Sequence, residues 1–244
     1  MGFGRKIKTI LLDLFFPPRC VGCQRVGFWL CPRCRAEIAL IRPPFCPLCG
    51  RTIAEKVPGA ALPPELCSSC RSATLQIDGI RSAAYFEGPL REAIHRFKYR
   101  ELSALALPLG EVLSEGWRVN RPPGEVIVPV PLHPKRLRER GYNQAALLAK
   151  ELGKKIGLPV VGNSLVRVRE TLPQTNLKAR ERKENVRDAF RCYGHELKGK
   201  CVLLIDDVCT TGATLEACSL ALRGSAVRSV WALSLARPRE NIAF

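Results

Sequence analysis

The sequence predicts an α/β protein in which a mainly parallel sheet, flanked by helices, follows a small cysteine-rich region. Two observations support this fold class. Eight of the 12 cysteines lie before residue 71, in four C-x-x-C pairs, and no such pair occurs later. From about Gln76 onward, strand-like and helix-like segments alternate along the chain. The 244 residues are enough for two domains, and the change in composition predicts them at residues 1–75 and 76–244.

Four segments of the second region have the composition of strands. They are short and rich in aliphatic or aromatic residues, and glycine, proline or charged residues bound them. In chain order they read "GIRSAAYFEG", "EVIVPVPL", "KCVLLIDDV" and "SVWALSLA".

Three further segments of this region have helical patterns. "PLREAIHRFKYR" is predicted to open with Pro89, since proline suits the first helical position. The segment from Asn143 has apolar residues at helical spacing and is predicted to end before Gly157. "TLEACSLALRG" is predicted to end at Gly224. The alternation of strands with helices is what favours a parallel sheet.

The chain is strongly basic. It has 39 Lys and Arg against 22 Asp and Glu, which gives a formal net charge of +17 and a pI of about 9.7. This charge favours polyanionic partners: nucleic acid, phosphorylated small molecules or an anionic membrane surface. At 46% hydrophobic and 25% charged residues, the composition is that of a globular protein and excludes a disordered one.

The N-terminal segment resembles a signal peptide only in part. Arg5, Lys6 and Lys8 precede a short apolar run, but Asp13 interrupts it and no small-residue cleavage site follows. We predict that this segment docks on the protein, that no segment spans a membrane, and that the chain is cytoplasmic. Any association with the inner membrane is then expected to run through partners.

The four C-x-x-C pairs predict two structural zinc sites. Thiolates two residues apart can face one ion, and two such pairs complete the tetrahedral shell that suits Zn²⁺. Disulfides are disfavoured without an export signal, and redox C-x-x-C sites rarely occur four in succession. Each site carries a charge of −2 with its ion, so the net charge falls from +17 to about +13. The predicted ligands are Cys20, Cys23, Cys31, Cys34, Cys46, Cys49, Cys67 and Cys70.

The spacing leaves open whether the two zinc sites are in tandem or interleaved. With four cysteines around each ion, neither site has a free position for catalysis. The other cysteines match no metal spacing and are interpreted as small buried hydrophobic residues: Cys192, Cys201, Cys209 and Cys218.

The run "VLLIDDVCTTGATL" ends a predicted strand, Val202 to Ile205, on paired acids. A glycine-containing turn then leads into a helix, where backbone N–H groups, the helix dipole and three threonine hydroxyls suit a phosphate. Because carboxylates cannot bind that phosphate, a ribose diol with Mg²⁺ nearby is their predicted partner. Acids that merely cap the next helix are the alternative. The predicted binding residues are Asp206, Asp207, Cys209, Thr210, Thr211, Gly212, Ala213 and Thr214.

This run closely resembles the 5-phosphoribosyl 1-pyrophosphate (PRPP) motif of type I phosphoribosyltransferases. Both have a hydrophobic run, paired acids, Thr-Thr-Gly and a further Thr. Cys209 departs mildly from the motif, which usually has an apolar or small residue there. The resemblance implies a type I phosphoribosyltransferase-like fold and PRPP with Mg²⁺ as the ligand.

Two basic stretches are candidates for binding the pyrophosphate group. "PVPLHPKRLRERGYNQ" brings cations next to a glycine, where backbone can approach a phosphate closely, although a solvated basic turn is the alternative. The stretch from Arg167 to Arg191 is predicted to be a loop in its first half and a charged helix or hinge over "LKARERKENV". It resembles the mobile elements that close over the ligand in these enzymes. The candidates are Lys135, Arg136, Arg138, Arg140, Gly141, Asn143, Gln144, Arg169, Gln174 and Arg180.

Together, the C-x-x-C pairs, "VPVPLHPKRLRERGYNQ", the spaced pattern from Arg169 to Phe190, and "LLIDDVCTTGATL" resemble the ComF family over nearly the whole chain. These are competence-type proteins that join a zinc ribbon region to a phosphoribosyltransferase-like domain. The resemblance implies a bacterial cytosolic protein linked to DNA uptake, natural transformation and the handling of incoming single-stranded DNA, or to the use of external DNA as a nutrient. It also implies other competence proteins as partners.

One hypothesis is an enzyme, a phosphoribosyltransferase. Mg²⁺ and the arginines would stabilise the departing pyrophosphate while a nucleophile attacks the anomeric carbon. No side chain stands out as a general base, since His95, His133 and His195 are interpreted as surface or packing residues. Catalytic residues are therefore not assigned.

The second hypothesis is a binding module without catalysis. Here the site senses PRPP or a nucleotide, while the basic surface and the zinc ribbons hold single-stranded DNA or a partner protein. Trp29, Tyr142 and Phe190 are the candidate stacking groups, but aromatic residues make up only 7% of the chain, so most are interpreted as core.

Overall fold

The computed structural model describes residues 17–53, 66–73, 75–99, 102–171 and 179–239, with the backbone alone at 179, 180 and 183. The docking segment predicted at the N-terminus lies before these residues. Besides a 3₁₀ turn at Ser103–Leu105, the elements in chain order are α1 (Pro32–Ala36), α2 (Ser68–Arg71), β1 (Gly79–Tyr85), α3 (Gly88–Tyr99), α4 (Ala106–Asn120), β2 (Val126–Pro129), α5 (Pro134–Arg140), α6 (Gln144–Ile156), β3 (Leu165–Arg167), α7 (Ala179–Asn185), β4 (Phe190–Cys192), β5 (Cys201–Val208), α8 (Ala213–Arg223) and β6 (Ser229–Arg237).

The main sheet has four parallel strands in the order β1-β6-β5-β2. All four are the strands that the sequence predicts. A separate antiparallel pair, β3 and β4, lies outside this sheet. The predicted fold class, a mainly parallel sheet flanked by helices after a small cysteine-rich region, is confirmed.

Strand β5 is buried on both faces. Val202 and Leu204 belong to one apolar core, and Leu203 and Ile205 belong to the other. This alternation explains why the strand reads as an uninterrupted hydrophobic run, since a central parallel strand needs apolar residues on both faces. The first core lies under α8 and the β3–β4 pair, and the second lies under α3, α4 and α6.

Helix α4 was not predicted from the sequence. Pro108 and two glycines obscure its pattern, but Pro108 falls in the first turn, where no intrahelical N–H donor is lost. Gly116 is needed for close packing on β1, because a Cβ there would lie 2.2 Å from the Cβ of Ala83. Pro108 is therefore compatible with the helix, and Gly116 is required by the packing of the helix on β1.

The cysteine-rich region covers the outer edge of β1. The N–H of Ile80 donates to the carbonyl of Leu48 at 2.7 Å, and the N–H of Ile41 donates to the carbonyl of Ala83 at 2.9 Å. Cys20, Cys31 and Cys34 also belong to the core that lies under α3, α4 and α6. The region is thus packed on the sheet, and the domain boundary after residue 75 stays a prediction.

The structure corrects three details of the predicted local structure. The basic stretch from Arg167 does not begin as a loop, because Arg167 ends strand β3. Of the two extents given for β5, the longer one, "KCVLLIDDV", is confirmed, since the strand runs from Cys201 to Val208, and the end at Ile205 is wrong. The basic segment after β2, interpreted as a possible turn, forms helix α5. Within the described ranges, no helix has the length and apolar character needed to cross a membrane.

Candidate functional site

The paired acids lie inside strand β5 at the carboxyl edge of the sheet. Asp206 pairs with Ser234 and Val208 with Ala236 of β6, which explains why the strand continues past Ile205. Both acids line one cavity at this edge. In open α/β sheets this edge is where ligands bind, so the strand presents both carboxylates at the position expected for a site.

Lys98, at the end of α3, neutralises Asp207. Its Nζ lies 2.8 Å from Oδ1 of Asp207, and both side chains are largely buried. Burial alone would lower the pKa of Lys98, but the carboxylate of Asp207 outweighs it and the pKa is raised. The amine is therefore a fixed positive charge.

Asp206 has surroundings that differ from those of its neighbour. Burial, together with the negative charge of Asp207, raises the pKa of Asp206 to about 7. Its Oδ1 still accepts a hydrogen bond from the N–H of Asp207 at 2.8 Å. At neutral pH the site can thus lose a proton from Asp206 when a cation or a hydrogen-bond donor arrives.

The loop after β5 is fixed at both ends. The N–H of Cys209 donates to the carbonyl of Ala236 at 2.9 Å, and Gly212 caps α8 with φ of +82°. Oγ1 of Thr211 accepts from the N–H of Ala213 at 3.4 Å. A Cβ at position 212 would be 3.0 Å from Cδ1 of Ile80, so glycine is required by conformation and by space. The loop therefore presents the start of α8 to the same edge as the acids.

Positive side chains surround the acids in a cavity of about 170 Å³, which we call the basic cavity. Thr214 lines it from the loop, and residues that follow β2 form another wall. Its charged lining residues are Lys98, Arg136, Arg140, Arg167, Asp206 and Asp207. Two anions face four cations, so the cavity suits a ligand with strongly negative groups.

The sequence-predicted residues around the basic cavity divide into two kinds. Asn143 caps α6 and donates to the carbonyl of Val130 at 3.0 Å, while Gln144, only 1% exposed, donates to the carbonyl of Phe97. Their amides hold the wall in place. Arg136 donates a hydrogen bond to the carbonyl of Thr171, and Arg140 donates one to Oε1 of Gln144. Because a guanidinium has five N–H donors, donors remain for an anion.

Other predicted pyrophosphate residues are not among the described lining residues of this cavity. Lys135 pairs with Glu170 at 2.9 Å, and Arg169 donates to the carbonyls of Asn185 and Arg187. Arg138 is exposed on α5, and Gly141 ends that helix with φ of +76°. Arg180 lies in α7, and Gln174 lies outside the described residues.

Two charged residues of the basic cavity were not predicted. Arg167 stacks on Phe190, with its Cζ 5.4 Å from the ring centroid, and Nη2 bonds to Oγ1 of Thr171. Its Nε is buried and, among the residues described, has no hydrogen-bond acceptor. Burial and the neighbouring Arg136 lower the pKa of Arg167. Lys98 gave no signal, because nothing in "HRFKYR" separates it from the other basic residues of the helix.

The cysteines form two clusters in tandem. Within each cluster the four sulfur atoms all lie within 4.8 Å of one another. The Sγ atoms of Cys23 and Cys31 are 3.6 Å apart, and those of Cys49 and Cys67 are also 3.6 Å apart. Zn–S bonds of about 2.3 Å in a tetrahedron require sulfur atoms about 3.8 Å apart. The clusters fit two structural zinc ions, one held by Cys20, Cys23, Cys31 and Cys34 and the other by Cys46, Cys49, Cys67 and Cys70.

Backbone donors prepare one thiolate in each cluster. Burial opposes ionisation of Cys20, but N–H groups of Cys23 and Cys31 outweigh it and lower its pKa to about 6. Cys46 has the same arrangement, with a pKa of about 7. Because zinc binds the thiolate, these two residues are suited to take the metal first.

The remaining cysteines lie apart from both clusters. Cys201, Cys209 and Cys218 are buried, as predicted for small apolar residues, whereas Cys192 is partly exposed. Burial raises the pKa of Cys209 to about 11. Its thiol therefore stays protonated and packs as an apolar group in the loop.

Sequence comparison places the chain beside several bacterial proteins. A family model described as the double zinc ribbon domain matches residues 11–71. The DNA utilization protein YhgH of Salmonella typhi is 34% identical over 218 residues, 84% of this chain and 96% of that protein. Competence protein F of Haemophilus influenzae is 30% identical over 91% of this chain and 98% of its own length. Competence protein ComFC of Bacillus subtilis is 30% identical over 77% of this chain and 75% of that protein.

Comparison with solved structures gives matches to part of the chain at low similarity. The glutamine PRPP amidotransferase from B. subtilis, in complex with ADP and GMP, has a TM-score of 0.36 at 17% identity over 57% of this chain and 26% of that one. A purine phosphoribosyltransferase from Pyrococcus horikoshii has a TM-score of 0.33 at 18% identity over 53% of this chain and 70% of that one. At these values neither similarity carries an argument about function.

The four-stranded parallel sheet and the two four-cysteine clusters define a zinc ribbon protein with an α/β domain. Among proteins of this class, the relatives that match over most of their length are competence and DNA utilization proteins. The chain belongs to the ComF family.

Proposed function

We propose that the chain binds PRPP with Mg²⁺ at the carboxyl edge of β5, as a phosphoribosyltransferase-like protein. One observation carries this proposal: paired acids, a loop opening a helix and a cavity lined with arginines meet at one strand end. PRPP has a diol, a monophosphate and a pyrophosphate, so the three parts of the site have three matching groups.

The loop is the proposed site of the 5-phosphate. Helix α8 has 11 residues, so its dipole and the N–H groups of its first turn favour an anion at its start. Thr211, next to the start of α8, and Thr214, which lines the basic cavity, are the proposed hydroxyl donors, whereas Thr210 lines a cleft on the other side of the strand end.

Asp206 and Asp207 are the proposed partners of the ribose diol. As anions they accept hydrogen bonds from hydroxyl groups, and Mg²⁺ prefers oxygen ligands such as theirs. The amine of Lys98 forms an ion pair with the carboxylate of Asp207. Ligand binding is therefore expected to exchange one cation for another or to draw Lys98 toward a phosphate.

The basic cavity is the proposed site of the pyrophosphate. Arg136, Arg140 and Arg167 all line it, and the buried Nε of Arg167 has no hydrogen-bond acceptor within the described part of the chain. Bidentate guanidinium contacts suit phosphate oxygens. In a transfer reaction these groups would stabilise the charge that develops on the departing pyrophosphate.

Thermal unfolding of the zinc-loaded protein tests the ligand assignment. Mg²⁺-PRPP should raise the unfolding midpoint more than Mg²⁺ with ribose 5-phosphate or with pyrophosphate, because only PRPP occupies all three parts. Equal shifts with pyrophosphate alone would mean that the arginines bind an anion and the acids bind nothing.

The relatives' names motivate a role in DNA uptake and the handling of single-stranded DNA. The net charge of +17 and the exposed Lys135 and Arg138 of α5 favour a nucleic acid partner. Affinity for a labelled single strand should fall steeply as salt rises, with neutralised phosphates setting the slope. Affinity that ignores salt would remove this role.

Non-catalytic sensing of PRPP or a nucleotide is the second candidate function. The Lys98–Asp207 ion pair favours it, because binding must break or move this contact and can thereby signal occupancy. Release of pyrophosphate from PRPP in the presence of acceptor bases distinguishes an enzyme from a sensor.

A further inference from the structure

A second and larger cleft, of about 710 Å³, lies on the other side of the same strand end. It lies where β1, β5 and β6 end, whereas the basic cavity lies where β2 and β5 end. Lys98, Tyr99 and Val208 line both. We call it the β1-side cleft, and its lining residues are Phe86, Gly88, Arg91, Glu92, Ile94, His95, Lys98, Tyr99, Arg182, Val208, Thr210 and Pro238.

The order of the strands places the two cavities on opposite sides of the ribose expected at Asp206 and Asp207. The pyrophosphate is assigned to the basic cavity beside β2. A nucleophile that displaces it approaches the anomeric carbon from the opposite face. That face is toward β6 and β1, and the β1-side cleft is open there.

The lining of the cleft indicates the chemistry of its ligand. Tyr99 is 58% exposed and contacts His95, with ring centroids 5.1 Å apart, so an aromatic surface faces the cleft. Phe86 adds a second aromatic wall. A flat ring stacks favourably on such surfaces.

Charge narrows the ligand class further. Arg91 and Arg182 line the cleft beside Lys98, whose charge is paired with Asp207. The acid of the cleft, Glu92, accepts a hydrogen bond from Arg96 at 2.7 Å. The net field is positive, so an acidic substituent on the ring is favoured over a neutral one.

We infer that the β1-side cleft binds the acceptor, and that this acceptor is an aromatic heterocycle carrying an anionic group. The inference rests on the proposed binding of PRPP. In the transfer step, a lone pair of the acceptor forms the new bond to the anomeric carbon, and the bond to the pyrophosphate oxygen breaks with its electron pair remaining on the pyrophosphate. A proton on the attacking atom, where there is one, must leave, and His95 is a group in the cleft that can accept it.

Matched pairs of small molecules test the inference. Nicotinate is compared with nicotinamide, and orotate with uracil, in calorimetric titrations of the zinc-loaded full chain with and without saturating Mg²⁺-PRPP. The acid of at least one pair should bind about tenfold tighter than its neutral counterpart, because the cations of the cleft bind its carboxylate. Arg91→Glu should remove this preference, since Arg91 is exposed and lines the β1-side cleft but not the basic cavity.

The control variant is Arg118→Glu, the same change at an exposed helical arginine outside the lining of either cavity. It should bind like the natural chain. If PRPP binds but neither acid is preferred, or if Arg91→Glu keeps the preference, the inference is wrong while the proposed function stands. If PRPP itself does not bind, the proposed function fails, and the acceptor role of the cleft fails with it.

Discussion

At the residue scale, the two neighbouring carboxyl groups of the site have different surroundings. Asp207 has Lys98 at 2.8 Å, whereas Asp206 is buried beside the charge of Asp207. The pKa of Asp206 is about 7 in the folded chain against an ordinary value of 3.8. A carboxyl with a raised pKa stabilises the fold fully below its unfolded pKa, and this contribution is lost as the pH rises through the folded value.

Replacing Asp206 with Asn should therefore change the pH dependence of stability. Without ligand or Mg²⁺, the natural chain should lose stability relative to Asp206→Asn by about 1 kcal/mol between about pH 6 and pH 8. Denaturant unfolding of both proteins across this range measures the difference. The exposed Asp188 supplies the control, since Asp188→Asn should follow the natural profile. A parallel profile for Asp206→Asn would show that this carboxyl titrates normally.

At the scale of elements, the loop between β5 and α8, which is the proposed phosphate site and is called the phosphate loop below, depends on its neighbours in the sheet and on one glycine. Cys209 is held by the carbonyl of Ala236 in β6, and Gly212 packs against Ile80 in β1. The positive φ of Gly212 is a conformation that branched residues rarely adopt. The loop therefore tolerates little change where it enters α8.

Gly212→Val should destabilise the chain by about 2 kcal/mol, because it combines an unfavourable φ with a contact to Ile80. It should also remove the thermal shift caused by Mg²⁺-PRPP. Gly162→Val is the control, since Gly162 has φ outside the left-handed region and no atom within 4 Å of an added Cβ. Denaturant unfolding of both variants measures the difference. Equal free energies of unfolding for Gly212→Val and Gly162→Val would show that the loop does not require glycine at position 212.

At the scale of the whole molecule, the second zinc cluster supports the phosphate loop through β1 and β6. An added Cβ on Gly50 would lie 2.3 Å from the carbonyl oxygen of Ile80, so the turn after Cys49 packs closely on Ile80. Ile80 is also the residue next to Gly212. Nη1 of Arg237, at the end of β6, donates to the carbonyl of Cys49 at 2.8 Å. The first cluster instead lies in the core beside α3 and α4.

Loss of the second zinc should therefore affect PRPP binding more than loss of the first. Cys46→Ser should reduce bound zinc from two ions to one and weaken PRPP binding by about tenfold relative to Cys23→Ser, which also loses one ion. Zinc content and calorimetric affinity are the measurements. Cys192→Ser, outside both clusters, should keep two ions. Equal affinities in the two ligand variants would show that the ribbons act only on global stability.

The features that were predictable from the sequence are those encoded locally. The C-x-x-C spacing identified the metal ligands, and the apolar run before the acids identified β5 and its loop. Lys98 and Arg167 were not predictable, because their roles depend on where α3 and β3 pack against the end of β5. The predicted strand end at Ile205 was wrong for a related reason, since pairing with β6 carries the strand through two charged residues, as the longer predicted segment "KCVLLIDDV" has it.

The proposed PRPP site at the end of β5 can be tested by calorimetric titration of Mg²⁺-PRPP into the zinc-loaded chain, beside the Asp206→Asn, Asp207→Asn double variant and the Asp188→Asn control. We expect the natural chain and the control to bind, with affinity in the double variant at least about a hundredfold weaker. No binding by the natural chain, or equal affinity in the double variant, would contradict the proposed site.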